Sequence, residues 1–349
     1  MDAALRIFGL LSPLGLGQGE DDDAAASEVD GYFPADSMIR QIHSERLIAF
    51  SGVRALLMQA CDPLAVVGFR RHSILFDDPR KRLMSTDRRM SRMYFGDRDL
   101  ALRTGDEIQA MHGRVKGTVA GDYGPIPAGT KYSAADPELM LWTLATLADS
   151  ALLYRERIFG SLEPEQREAY WADYRRIGML LGMPADSMPA DEPGLRDYVR
   201  GRLSDGSLYI SDDVRDRSKA IIFDPPFDGW MKLVLTPVSE AIKLSSVGFL
   251  PGEIREMYDF SWDPARETLL RTSLLQLRIA SRLWPDAAGP RAERLADRTH
   301  DPIQPAPATA KISGTIARAR LAAIQRAGAQ RFIARVDVRP TFVGGKFFG

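Results

Sequence analysis

An all-α fold is predicted by three features of the sequence. Long segments repeat apolar residues at the 3.6-residue period of a helix that buries one face. Several of these segments open on Asp-Pro or Pro-Gly and close on glycine, which is the expected punctuation of helix starts and stops. Alternating, strand-like patterns are scarce. "KAIIFD" (219–224) and "RFIARVDVRP" (331–340) are the best of them, and neither has an evident partner.

Residues 1–31 read as a flexible leader. The opening "MDAALRIFGLLSPLGLGQGE" holds a short apolar stretch, but Asp2, a lone Arg6, Pro13 and the glycines at 15, 17 and 19 make it a poor signal peptide. "LGQGEDDDAAASEVDG" (16–31) is acidic and rich in small residues. Residues 32–298 are expected to form one large helical domain. "SERLIAFSGVRALLMQACDPLAVVGF" predicts a helix from Ser44, stopped or kinked at Asp62-Pro63. "DDPRKRLMSTDRRMSRMYFG" starts with Asp78 as N-cap and Pro79 at the first helical position, and Gly96 ends it. Asp97 can cap the next helix, which runs through His112. "AADPELMLWTLATLADSALLYRERIFG" repeats the Asp-Pro start at Asp136-Pro137 and continues for about six turns of 3.6 residues to Gly160. "EPEQREAYWADYRRIGMLLG", "PGLRDYVRGRL", "PGEIREMYDF" and "DPARETLLRTSLLQLRIASRLWP" are further amphipathic helices. "THDPIQPAPATAK", from 299, reads as a proline-rich linker to a basic segment, 311–349, with eight Lys/Arg and one acid, Asp337.

Composition narrows the function classes. The net charge of −1 gives no global electrostatic case for a nucleic-acid partner. A single cysteine, Cys61, excludes an intramolecular disulfide and any multi-cysteine zinc or iron–sulfur site within one chain. No apolar run reaches the roughly 18 residues of a transmembrane helix. The expected compartment is the cytoplasm. The basic face of 311–349 offers two alternatives, peripheral contact with an anionic membrane surface or a tail folded back on the acidic leader.

Few residues could carry chemistry. His112, one of four histidines, shares a helical stripe with Ala101, Ile108, Met111 and Val115, so its imidazole points to a core or to a pocket within it. It is either a satisfied core residue or a ligand. Gly105 lies two turns earlier, where glycine's close backbone approach would suit a flat macrocycle or a tightly packed helix. Arg82 and Thr86, four apart, share a face and could bind an anion or a bound oxygen species, or could belong to an exposed basic helix with Lys81, Arg88, Arg89 and Arg92. Asp149 falls beside Trp142 and Thr146 in an apolar run. It either faces solvent or meets an arginine from a facing helix. Neither His43, at a helix entrance, nor His300, in the linker, has a case as a ligand, and Cys61 suits a small buried residue better than a haem thiolate. H-E-x-x-H, Walker and G-x-S-x-G motifs are absent, and no E-x-x-H spacing supports a di-iron bundle with His72 and His112.

Four stretches in order carry a resemblance. "RALLMQACDPLAVVGFRRHS", "DPRKRLMST", "MHGRVKG" and "YSAADPELMLWTLATLADSAL" resemble the MpaB-like/rubber oxygenase catalytic domain family, from about residue 40 to about residue 290. "LPGEIREMYDFSWDP" and "WPDAAGPRAERLA" suit its C-terminal part. The resemblance implies a globin-like helical core around a non-covalent haem b, with His112 of "MHGRV" as proximal iron ligand and Gly105 beside the macrocycle. It puts Arg82 and Thr86, the R-x-x-x-T pattern, on the distal or propionate side. Where the latex-cleaving members carry a lysine before that threonine, this chain has Ser85, so a lysine-ligated resting state is not expected. Their proposed catalytic acid has no counterpart here, and Cys61-Asp62 stands where relatives often have Ala-His. The implied function is a haem-dependent oxygenase that uses dioxygen on a hydrophobic isoprenoid or lipid-like substrate. The alternative is a non-catalytic carrier or sensor of haem or an apolar ligand.

Overall fold

The computed structural model describes residues 31–72, 79–223, 240 and 243–283. Leader residues 1–30, the linker and the basic segment 299–349 lie outside these residues, as do Asp78 and "RFIARVDVRP". Gly31, assigned above to the leader, already bridges to Asp97.

The fold is all-α. Its helices are α1 (Met38–Ser44), α2 (Ser51–Gln59), α3 (Pro63–His72), α4 (Pro79–Phe95), α5 (Arg98–Arg114), α6 (Pro137–Phe159), α7 (Pro164–Leu180), α8 (Glu192–Ser204), α9 (Asp212–Phe223), α10 (Gly252–Met257) and α11 (Pro264–Leu283), with a further helical stretch at 243–248. A two-stranded antiparallel hairpin, β1 (Lys116–Thr118) and β2 (Lys131–Ser133), follows α5, with Gly117 opposite Tyr132. A Cβ on Gly117 would sit 2.6 Å from the Tyr132 hydroxyl, so a larger residue there would have to displace that ring.

α6 is the central helix and packs against α1, α2, α7, α8 and α11. It starts where the Asp-Pro signal predicts: Asp136 caps it by accepting from the Glu138 N–H at 2.9 Å, and Gly160 ends it at φ 110°. Leu141, Trp142, Leu144, Leu152, Tyr154 and Ile158 are buried along it, each stabilising by about 1.5–3 kcal/mol relative to exposure. Ala145, Ala148 and Ala151 are fully buried as well, so neighbouring helices can approach closely. A helix apolar on most sides belongs at the centre of a domain.

Two elements differ from their sequence patterns. The helix expected from Ser44 is instead a 3-10 stretch, Arg46–Phe50, followed by α2, while α1 begins earlier, at Met38. α1 has no side-chain cap of its own. Asp173 of α7 serves from outside, its Oδ2 accepting from the Ile39 N–H at 3.1 Å. "KAIIFD" is not a strand, because its first five residues complete α9. The predicted kink at Asp62-Pro63 is present. The chain bends by 96° between 47–59 and 63–70, and Asp62 caps α3 by accepting from the Ala65 N–H at 2.9 Å. That bent pair has the length and apolarity of a broken membrane span, but Leu57, Met58, Cys61 and Val66 within it are buried in the core. Among the described residues, no single helix is long and apolar enough to cross a membrane.

Candidate functional site

α4 and α5 form a hairpin whose turn is built by Gly96 and Asp97. A Cβ on Gly96 would lie 2.4 Å from the Arg92 carbonyl oxygen, and Asp97 Oδ1 accepts from the Leu100 N–H at 2.6 Å. So short a connection makes the two helices antiparallel neighbours. The last turn of α5, which carries His112, therefore lies alongside the N-terminal half of α4, the half that carries Arg82 and Thr86.

His112 is half-buried, and its Nδ1 is buried with no hydrogen-bond partner. Burial, and then the positive charge of Arg89, hold the imidazole below its ordinary pKa, so the ring is neutral at neutral pH. Thr86 is half-buried on α4. Arg82 belongs to the backbone of the same helix, one turn before Thr86. Arg89 is the residue that sequence reasoning passed over. It is half-buried, its guanidinium donates to the Ser85 hydroxyl and, at 3.5 Å, to the Ser85 carbonyl, and its charge reaches His112. The Ser85–Arg89 spacing of four was visible, but six Lys/Arg between Arg80 and Arg92 made one half-buried member indistinguishable from a solvated face.

The close approach at Gly105 is to a helix. Its added Cβ would stand 2.6 Å from the Leu180 carbonyl oxygen at the end of α7, and the same oxygen accepts from Gln109 Nε2 at 2.9 Å. Of the two causes left open above, helix packing accounts for the glycine. Gly113 meets nothing within 4 Å.

Asp149 has the facing arginine. Arg54 Nη1 of α2 lies 2.8 Å from Asp149 Oδ2, while Arg54 also donates to the Phe249 carbonyl at 2.7 Å and the Ser150 hydroxyl at 2.6 Å. Cys61 is fully buried beside Tyr258, and burial pushes its thiol up to about 12, which leaves it protonated and inert. Among the described residues, no group of three or more His, Cys, Asp or Glu side chains is placed to hold a metal ion. A haem held through one axial side chain does not need such a group.

Residues 40–279 match the family model described as ER-bound oxygenase mpaB/B'/Rubber oxygenase, catalytic domain. The uncharacterized proteins Mb2261 of Mycobacterium bovis and Rv2237 of Mycobacterium tuberculosis are each 29% identical to it over 216 residues, covering 61% of this chain and 79% of theirs. No solved structure matches. The chain belongs to the mpaB/rubber oxygenase catalytic domain family.

Proposed function

We propose that this oxygenase-family chain is a haem b-dependent oxidoreductase, an oxygenase that takes dioxygen as co-substrate and acts on a hydrophobic, isoprenoid or lipid-like molecule. The observation that carries the reading is His112: a neutral imidazole with a buried ring nitrogen that no described side chain or carbonyl satisfies. Metal ligation needs a neutral imidazole. The residues present therefore fit the group, since Nδ1 has no partner among the described residues and is open to it.

Haem, when bound, supplies the iron at which dioxygen is activated and the substrate oxidised. The chain supplies position and polarity. His112 would hold the group through its iron. Thr86 and Arg82, on the neighbouring helix, would donate hydrogen bonds to the group's carboxylates or to the substrate. Arg89, anchored on Ser85, adds a fixed positive charge that cannot itself bind iron, because guanidinium has no lone pair to give. A globin-like arrangement around the group, a cytoplasmic location and membrane-surface contact through 311–349 belong to the same reading.

The test is the ultraviolet–visible spectrum of the full chain expressed with ample haem, wild type beside His112→Ala, before and after dithionite. A Soret band that the substitution abolishes or shifts supports the assignment. No band in the wild type overturns it. A band without substrate-dependent oxygen uptake would make the protein a haem carrier or sensor instead.

A further inference from the structure

A second constellation lies in the interior between α1, α4 and α7. The Tyr170 hydroxyl is 2.9 Å and the Tyr174 hydroxyl 3.1 Å from His43 Nε2, and the Tyr94 hydroxyl is 2.8 Å from that of Tyr174. The His43 ring stacks on Tyr94 at 4.3 Å, and the Tyr170 and Tyr174 rings are 5.0 Å apart. Tyr170, Tyr174 and Tyr94 are buried, while His43 is half-buried. A core that needed only filling would take phenylalanine at these places, since each buried hydroxyl costs free energy unless it is bonded. Here three phenols and one imidazole satisfy one another.

We infer that His43, Tyr94, Tyr170 and Tyr174 form an internal redox site, a phenol–imidazole relay that takes up one oxidising equivalent. A buried phenol cannot lose an electron alone, because the resulting cation is strongly acidic and has no water to protonate. A base already in hydrogen-bond contact removes that obstacle, and His43 Nε2 is that base in the Nδ1–H tautomer. The oxidant is an oxyl or peroxyl radical, the stray product class of dioxygen chemistry. It takes one electron from Tyr170 or Tyr174 and becomes the corresponding oxyanion. The phenol O–H bond breaks, its proton moves to Nε2, and a neutral tyrosyl radical and an imidazolium remain. Tyr94 extends the relay toward the candidate site, being eight residues from Thr86 on α4, about 12 Å of helix. Burial also keeps Tyr170 and Tyr174 as un-ionised phenols, which makes proton transfer a required part of the step.

Only the source of the oxidant rests on the oxygenase reading, so the test supplies its own. The full chain is photo-oxidised with a ruthenium polypyridyl complex and persulfate, and the radical is followed by freeze-quench electron paramagnetic resonance and flash absorption. The expected result is a long-lived neutral tyrosyl signal that is largely lost in Tyr94→Phe/Tyr170→Phe/Tyr174→Phe. In His43→Gln, which keeps every phenol, formation should slow by about 100-fold. Should the triple variant not fold, Tyr170→Phe and Tyr174→Phe singly must each change the lineshape or yield. Unchanged signals and rates across these variants would overturn the relay whether or not the protein proves to be an oxygenase.

Discussion

Gly105→Ala and Gly113→Ala place the same methyl group on the same helix, and the structure assigns them opposite signs. At Gly105 the new Cβ meets the Leu180 carbonyl oxygen at 2.6 Å, its carbon at 3.4 Å and the Leu180 Cβ at 3.5 Å. The oxygen cannot swing aside cheaply, because it is backbone at the end of α7 and already holds Gln109. Overpacking of this kind costs about 2–3 kcal/mol. Alanine recovers about 1 kcal/mol of helix propensity. The expected net loss is about 1–2 kcal/mol. At Gly113 the methyl group enters open space and only the propensity gain remains, so that variant should be about 0.5–1 kcal/mol more stable. The assay is urea unfolding of both variants beside wild type, with unchanged m-values as the condition for comparing midpoints. A Gly105→Ala protein as stable as wild type would refute the packing argument. If that protein were also unable to bind haem, the glycine would serve a cofactor face after all.

Three other outcomes follow from the same structure. Cys61, the chain's one thiol, should not react with a disulfide reagent at pH 8 in the native state, since burial pushes it up to about 12; one thiol should be released on denaturation. Rapid native labelling would contradict its placement. Asp62 is held above its ordinary pKa by burial, which outweighs the Ala65 N–H and the Arg202 guanidinium 2.8 Å away. With the folded value above the unfolded one, its contribution to stability is full below the unfolded pKa of about 3.9 and is lost as pH rises through the folded value. Asp62→Asn keeps the cap without the titration, so its stability should gain on wild type as pH rises through mild acid; parallel curves would rule this out. For the Arg54–Asp149 pair, with side chains 4% and 26% exposed, Asp149→Ala strands a buried guanidinium and should cost about 3 kcal/mol. Arg54→Met leaves a carboxylate that water can reach and should cost about 2 kcal/mol by chemical denaturation. The reverse order would mean that the arginine is the better solvated partner.

Helix starts were legible because their signals are local. Asp97 and Asp136 cap within three residues of themselves, and Asp62-Pro63 carries both the end of one helix and the cap of the next. The β1–β2 hairpin was not, because each strand is three residues long and no alternation can develop over so few. The start of α1 was missed for a related reason. Its capping carboxylate, Asp173, comes from a residue 134 positions away.

The candidate site shows the same division between what is local and what folding brings together. Arg82, Thr86 and His112 were found through motif order, and the α4–α5 hairpin sets the two helices that carry them side by side. His43 was dismissed on its neighbours in sequence, yet the phenols that bond it lie 127 and 131 residues downstream. Their spacing in "YWADY" is one helical turn, which puts both hydroxyls on one face of α7, but nothing in that pattern names the imidazole they meet. Gly105 was open to two explanations for the same reason: a glycine reports that something approaches, and only the partner helix says what. Of the two histidines inside this domain that matter most, the one with no case from its own segment is held by two buried phenols. The one with the motif has a buried nitrogen left over, and a nitrogen left over is where an added group has something to gain by binding.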